Sequence, residues 1–122
     1  MSGQRRLVLY MAHPLGGDVD ANLKRALRWL AWLRRTRPEA TIIAPWIAAV
    51  MSIGDDGTPE ERAAGLLDDC TVVGRCDVLV LVGGRVSSGM AMERAAAIDH
   101  GIDELDLTHL GVEPPTHDGE AG

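Results

Sequence analysis

The sequence predicts an α/β fold in which a small parallel sheet lies between two layers of helices. Three observations favour this fold: short apolar runs alternate with segments of helical periodicity, the runs are apolar at nearly every position, and 122 residues give room for one domain. Strands that are apolar throughout are typical of a parallel sheet covered on both faces. With right-handed crossovers, the pattern predicts a flavodoxin-like three-layer sandwich with four to five strands.

The first half of the chain is predicted to contain two strands and a helix. Residues 7–11 form the first apolar run, and leucine and alanine side chains then repeat at helical spacing up to about Arg35. Asp18 or Asp20 is the expected cap of this helix. Residues 41–44 predict a short second strand that ends at Pro45, and residues 54–57 predict a loop.

The clearest local signal in the chain marks the start of a second helix. Thr58 is a capping hydroxyl, Pro59 suits the first helical position, and Glu61 completes a capping box. The helix should therefore begin there and continue to about Gly74.

The remaining elements are a strand, a helix and an edge strand. Residues 78–82 predict a buried strand, and an alanine-rich helix follows and ends before Gly101. Residues 105–107 allow one weak edge strand. We expect a single domain over residues 1–111 and a flexible tail over residues 112–122, where prolines and small polar residues accumulate.

The composition disfavours several classes of function. Twelve basic and eighteen acidic residues give a net charge of −6, which disfavours polymeric nucleic acid as a partner and favours a small molecule. Lys24 is the only lysine, so the sequence has no Gly-Lys-Ser/Thr phosphate loop. No apolar stretch suits a membrane span or a secretory signal, which predicts a cytoplasmic protein with no membrane partner.

Neither a metal nor a cofactor is expected. Cys70 and Cys76 match neither a redox pair nor a zinc site, and we predict two reduced, buried thiols. The histidines have no partner at metal-binding spacing. The first loop lacks the Gly-x-Gly-x-x-Gly pattern and the hydroxyls that a flavin phosphate would need, so neither a dinucleotide nor a flavin is favoured.

A crevice at the carboxyl ends of the first and third strands is the expected ligand site. Residues 10–18 would form one wall and residues 83–93 the other. The second wall leads into a helix whose free amides favour an anion or a hydroxyl, and its Gly-x-x-Ser-x-Gly spacing disfavours a serine hydrolase. The residues predicted to bind substrate are His13, Gly16, Gly17, Trp46, Gly83, Gly84, Ser87, Ser88 and Gly89.

Glu93 is the first candidate for chemistry, because it is a carboxylate on the apolar face of its helix. Helical spacing places it with Gly89, Met90, Ala96 and Ala97. An unpaired buried carboxylate is costly, so it should face a cavity or meet hydrogen-bond donors. The alternative is that Glu93 is paired at an interface or with Arg85.

Asp69 is the second candidate. On the helix from Thr58, the predicted buried stripe passes beside Asp69 and opposite Asp68; it consists of Ala63, Leu66, Leu67, Cys70 and Val73. The alternative for Asp69 is a solvated helix flank. Asp77 lies at the remote end of its strand and is expected to be structural.

Two crevice carboxylates are the usual arrangement for cleaving a bond at an anomeric carbon. Tyr10 at the end of the first strand, Asp69 eight residues before Asp77, and residues 87–93 before an alanine helix resemble the nucleoside 2-deoxyribosyltransferase family, over about residues 7–111. The resemblance includes uncharacterised relatives and the hydrolases of deoxynucleoside 5'-monophosphates. It implies that Glu93 is the nucleophile toward C1', that Tyr10 positions it, and that Asp69 manages the proton of the departing base.

The resemblance leaves the substrate open. Transferases commonly carry an aspartate where this chain has Ser87, whereas the hydrolases carry a serine there for the phosphate. Those hydrolases also use a Ser-x-Arg in the first loop, where this chain has His13 and Leu15, although Arg85 or a protonated His13 could replace it. Transferase and hydrolase both remain possible, and the alternative is a non-catalytic nucleotide-binding module.

A homodimer or higher homo-oligomer is expected as well. The resemblance implies it, since members of that family assemble and often complete the active site with a neighbouring chain. Trp29 and Trp32 on the first helix also look exposed in the sequence, and an interface would cover such side chains.

Overall fold

The computed structural model describes residues 5–53 and 57–116. Its strands are β1 (Val8–Ala12), β2 (Thr41–Ile43), β3 (Val78–Leu81) and β4 (Asp103–Asp106). Its helices are α1 (Val19–Thr36), α2 (Pro45–Ile53), α3 (Pro59–Val73) and α4 (Ser88–Asp99), followed by a 3-10 turn at Thr108–Leu110. The predicted loop at residues 54–57 lies outside the described residues except for Gly57.

The four strands form one parallel sheet in the order β2-β1-β3-β4. Tyr10 is level with Leu79 and Ala12 is level with Leu81, so β1 and β3 end together. This register brings the loops after the two central strands to the same edge of the sheet. The predicted α/β sandwich is confirmed.

Helices cover both faces of the sheet. α1 contacts β2, whereas α3 packs against α2 and α4, and α4 reaches β3 and β4. The centre of the sheet is inaccessible to solvent, since four of its side chains are fully buried: Tyr10, Met11, Leu79 and Val80. An apolar environment on both sides of β1 and β3 explains why every position of these runs is apolar.

The predicted caps are present, and they fix where the helices begin. The side chain of Asp18 accepts a hydrogen bond from the amide of Ala21 at the start of α1. Thr58 and Glu61 form the reciprocal capping box of α3. Each bond satisfies an amide that has no partner inside its helix.

The structure corrects the interpretation of Pro45. From the sequence, Pro45 is expected to end a strand and no element is predicted for the residues that follow, whereas Pro45 is the first residue of α2. Proline suits that position because its missing amide would have no partner there. The segment is apolar at most positions, so it lacks the periodicity that marks an amphipathic helix.

Two expectations about burial are also wrong. Trp29 is fully buried, and its Nε1 donates to the carbonyl of Val112 at 2.9 Å, so it does not indicate an exposed interface. Cys76 is buried as predicted, but Cys70 is only half-buried; both are free thiols. In the part of the chain that the structure describes, no helix combines the length and the apolar character that a bilayer span requires.

Residues 111–116 follow the last turn of the fold. Arg25 and Arg28 of α1 bind the carboxylate of Glu113 at 3.1 and 2.9 Å. The beginning of the predicted tail therefore contacts α1, and residues 117–122 lie outside the described residues.

Candidate active site

A cavity of about 340 Å³ opens at the carboxyl ends of β1 and β3. His13, Leu15 and Gly16 line it from the loop after β1, Arg85 and Ser87 line it from the loop before α4, and Ser88 lines it from the first turn of α4. Asp69 of α3 and Glu93 of α4 complete it from the side. The cavity is therefore where the sheet topology predicts a ligand.

Glu93 faces inward and is held by Tyr10. It is 6% exposed, and its Oε2 accepts a hydrogen bond of 2.6 Å from the hydroxyl of Tyr10, which is fully buried at the centre of β1. Met90 and Ala97 share the buried face of α4 with Glu93, as predicted from helical spacing. The alternative of an ion pair with Arg85 is not what the structure has.

Asp69 also faces inward, but the predicted buried stripe of α3 is partly wrong. Leu67 is 68% exposed and Ala63 is exposed as well, whereas Leu66, Asp69 and Val73 turn toward the protein. The actual stripe is thus rotated toward Asp69. The rotation follows from packing, since α3 lies against α2 on one side and α4 on the other.

The two carboxyl groups share one environment with Tyr10. Burial raises the pKa of Glu93 to about 7, with the charge of Asp69 acting in the same direction and the hydrogen bond from Tyr10 acting against it. Burial raises the pKa of Asp69 to about 6, the charge of Asp68 adds to this, and the hydroxyl of Tyr10 acts against it, as it does for Glu93. Burial and the charge of Glu93 raise the pKa of Tyr10, so its hydroxyl keeps the proton that it donates.

The site can therefore hold one proton between two carboxyl groups near neutral pH. Tyr10 favours the negative charge on Glu93, because a hydrogen bond to a carboxylate stabilises the charged form. Glu93 has the higher pKa, so it holds the shared proton most of the time, and the form with charged Glu93 and protonated Asp69 is the less populated of the two. An oriented carboxylate beside a protonated acid is the pairing that glycosidic bond cleavage uses.

His13 lies in the first wall as a buried ring. It is 6% exposed, and its Nδ1 lies 2.6 Å from the carbonyl of Pro14, so Nδ1 carries the hydrogen. Nε2 is buried and has no hydrogen-bond partner among the described residues. Burial lowers the pKa of His13, and the nearby charges of Arg25 and Arg85 act in the same direction, which favours the neutral ring.

Trp46 lies at the cavity as predicted, and α2 holds it there. Its Nε1 donates to the carbonyl of Met11 at 2.8 Å, which fixes the indole ring beside β1. The ring is buried and still lines the cavity, together with Val50 from the next turn of α2. Val50 was missed because α2 itself was not predicted.

In the second wall of the cavity, the guanidinium group of Arg85 stands next to the first turn of α4. The hydroxyl of Ser87 accepts from the amide of Met90 at 3.2 Å and is the cap of α4. Ser88 and Gly89 begin the helix, and Arg85 stands beside them at the cavity. Amides at a helix start and a guanidinium favour a polar or anionic group of a ligand.

The structure brings most of the predicted binding residues together at the cavity, but three of them are not part of its lining. Gly17, Gly83 and Gly84 do not line it. Gly83 has a φ of 102°, and a Cβ there would lie 2.7 Å from the ring of His13, so this glycine allows the two walls to meet. Leu15, Leu66 and Arg85 line the cavity without having been among the predicted binding residues.

No cluster of three metal-ligating side chains occurs within residues 5–53 and 57–116. The family model that matches the chain is described as a domain of unknown function, DUF7768, and it covers residues 7–105. This range contains every residue of the cavity. No curated protein matches the sequence.

Proposed function

We propose that this chain, which belongs to the DUF7768 family, cleaves or exchanges the N-glycosidic bond of a (deoxy)nucleoside or nucleoside monophosphate. One observation carries the proposal: a buried glutamate, oriented by a tyrosine hydroxyl, shares a cavity with a second carboxyl group. The resemblance to nucleoside 2-deoxyribosyltransferases supports the same chemistry, since it rests on Tyr10, Asp69 and Glu93.

In the first step, a carboxylate oxygen of Glu93 attacks C1' of the sugar. The bond between C1' and the base nitrogen breaks, and its electron pair leaves with the base. Asp69 supplies the proton that neutralises the departing base. Tyr10 holds Glu93 by one oxygen, Oε2, which leaves the other oxygen for the attack.

In the second step, an acceptor attacks C1' and breaks the ester to Glu93. Asp69 takes the proton from the acceptor and returns to its starting form. With water as the acceptor the product is the free sugar and the reaction is hydrolysis. With a second base as the acceptor the reaction is a transfer, and both outcomes use the same covalent intermediate.

The second wall of the cavity is compatible with a substrate whose sugar carries a phosphate and with one whose sugar does not. Arg85 and the start of α4 favour an anion. We also expect a homodimer, as the resemblance implies, and sedimentation equilibrium measures it.

The test is a panel of deoxynucleosides and their 5'-monophosphates, incubated with and without a second free base and followed by chromatography. Release of the base identifies a hydrolase, and exchange without release identifies a transferase. The variant Glu93→Gln keeps an acceptor for Tyr10 but no nucleophile, and its turnover should fall by at least about a thousandfold. The control is Glu39→Gln, which changes an exposed glutamate after α1 and should leave turnover unchanged.

Mass spectrometry distinguishes this proposal from a binding module. Protein quenched during turnover should carry one deoxyribosyl group on the peptide that contains Glu93. If nucleotides bind equally to the wild type and to Glu93→Gln, while no member of the panel loses its base, the chain is a binding module and the proposal is wrong.

A further inference from the structure

We propose that a second, apolar cavity beside the candidate active site binds an apolar substituent on the base of the substrate. The inference rests on the proposed function, because it assigns a substrate class to the same site. The cavity measures about 250 Å³ and lies between α2 and α3. Its size suits a group smaller than a drug-sized ligand.

The two cavities adjoin one another. Leu15, Trp46, Val50, Leu66 and Asp69 line both of them. Asp69 therefore stands at the junction, where a proton donor for the departing base is needed. A base beside Asp69 would have the sugar on the side of Glu93 and its own far edge toward the second cavity.

The character of the second cavity decides what can enter it. Ala49 and Ile53 add to its apolar walls. Two of its polar side chains are already used at the start of α3: Glu61 accepts from the amide of Thr58, and Arg62 donates to the carbonyl of Gly57. The exposed edge of an unmodified base carries several hydrogen-bonding groups, for which these walls offer few partners, so an unmodified base gains little from them.

Gly65 gives independent support. It lies in the middle of α3, where a glycine costs about 1 kcal/mol relative to alanine. A close neighbour could explain the missing side chain, but a Cβ at this position would meet no atom within 4 Å. Gly65 lines the second cavity, and the absence of a side chain there leaves the cavity larger.

An alkyl or aryl group on the base fits these observations best. Such a group needs no hydrogen-bond partner. Its contacts with the aliphatic walls and Trp46 would stabilise the complex, and it would occupy the volume over Gly65. The preferred substrate would then be a nucleoside or nucleotide with an apolar modification on its base.

The experiment compares two pairs of probes: 2'-deoxyadenosine with N6-benzyl-2'-deoxyadenosine, and 2'-deoxyuridine with 5-benzyl-2'-deoxyuridine. Binding is measured by calorimetry on Glu93→Gln, which cannot turn the probes over, and kcat/KM is measured on the wild type. We expect a benzyl probe to bind at least about tenfold more tightly than its parent. The additional variant Gly65→Leu should abolish that preference by filling the cavity.

Two further variants separate filling from damage to the helix. Gly65→Ala improves the helix and leaves most of the volume, so it should keep the preference. Ala49→Leu fills the cavity from α2 and should abolish it, which tests the proposal even if Gly65→Leu does not fold.

The outcomes separate this inference from the proposed function. A preference for benzyl probes that Gly65→Leu and Ala49→Leu both remove supports the second cavity, even if no probe loses its base. Turnover of the parent nucleosides with no preference for either benzyl probe overturns the second cavity and leaves the proposed function standing. A preference that neither filling variant changes overturns it as well.

Discussion

Glu93 is a carboxyl group in a place that favours its protonated form. Burial raises its pKa from 4.5 to about 7, although Tyr10 donates to it. A nucleophile must be charged to react, so the fold holds at neutral pH a group that would be more stable without its charge. Such a conflict between stability and activity is typical of active sites.

The variant Glu93→Gln should be more stable than the wild type at pH 8. Between pH 4.5 and about 7 the folded protein keeps a proton on Glu93 that the unfolded chain has lost, so stability falls as the pH rises through this range. Glutamine has no charge to bury and removes this loss. We expect a gain of about 1 to 3 kcal/mol in the free energy of unfolding at pH 8, and almost none at pH 4.

Urea denaturation of both proteins at the two pH values measures this gain. The exposed change Glu39→Gln serves as the control and should have little effect at either pH. Equal stability of Glu93→Gln and the wild type at pH 8 would contradict the cost that we assign to the buried charge.

The inward positions of Glu93 and Asp69 were not equally predictable from the sequence. Glu93 was predicted to face inward because its neighbours on α4 are small and apolar, and the structure confirms this. The inward position of Asp69 was harder to predict, because Leu67 is apolar and yet 68% exposed. Helical spacing gives the relative positions on a helix, but the packing partners decide which side is buried.

At the scale of elements, helix starts position the site. α4 carries Glu93, and its first turn depends on Ser87, whose hydroxyl accepts from the amide of Met90. α2 positions Trp46 and was not predicted, since a helix that is apolar on most sides has no periodic pattern to recognise. Caps were predictable because they depend on two or three neighbouring residues, whereas α2 has no regular apolar spacing, and only Trp46 and Ile47 of it are buried.

The role of Ser87 can be separated into capping and substrate contact. Ser87→Ala removes the cap and should lower the free energy of unfolding by about 1 kcal/mol. Ser87→Asp also caps a helix well and should preserve stability, so any change that it causes in substrate preference would report on contact with the ligand. Ser88→Ala is the matched control, because Ser88 is exposed and does not cap α4. Thermal denaturation of the three variants gives the result, and an unaltered Ser87→Ala would show that the cap contributes nothing.

At the scale of the whole molecule, the end of the described chain contacts α1. Val112 accepts from the buried indole of Trp29, and Glu113 binds Arg25 and Arg28. A Cβ on Gly84 would lie 3.0 Å from the side chain of Val112, so this segment also contacts the loop that precedes Arg85. Residues 112–113 thereby connect α1 to the loop that forms one wall of the cavity.

Truncation tests where the folded unit ends. The sequence predicts a domain that ends at residue 111, but removing Val112 and Glu113 leaves the Nε1 of Trp29 buried without its acceptor and removes two ion pairs. A chain that ends at Gly111 should lose about 1 to 3 kcal/mol of stability, mostly from the unpaired indole, because exposed ion pairs contribute little. A chain that ends at Thr116 keeps all three contacts and should be more stable than the chain that ends at Gly111 by that amount. Urea denaturation of the three chains measures the difference, and equal stability of the two truncated chains would place the end of the folded unit at Gly111 after all.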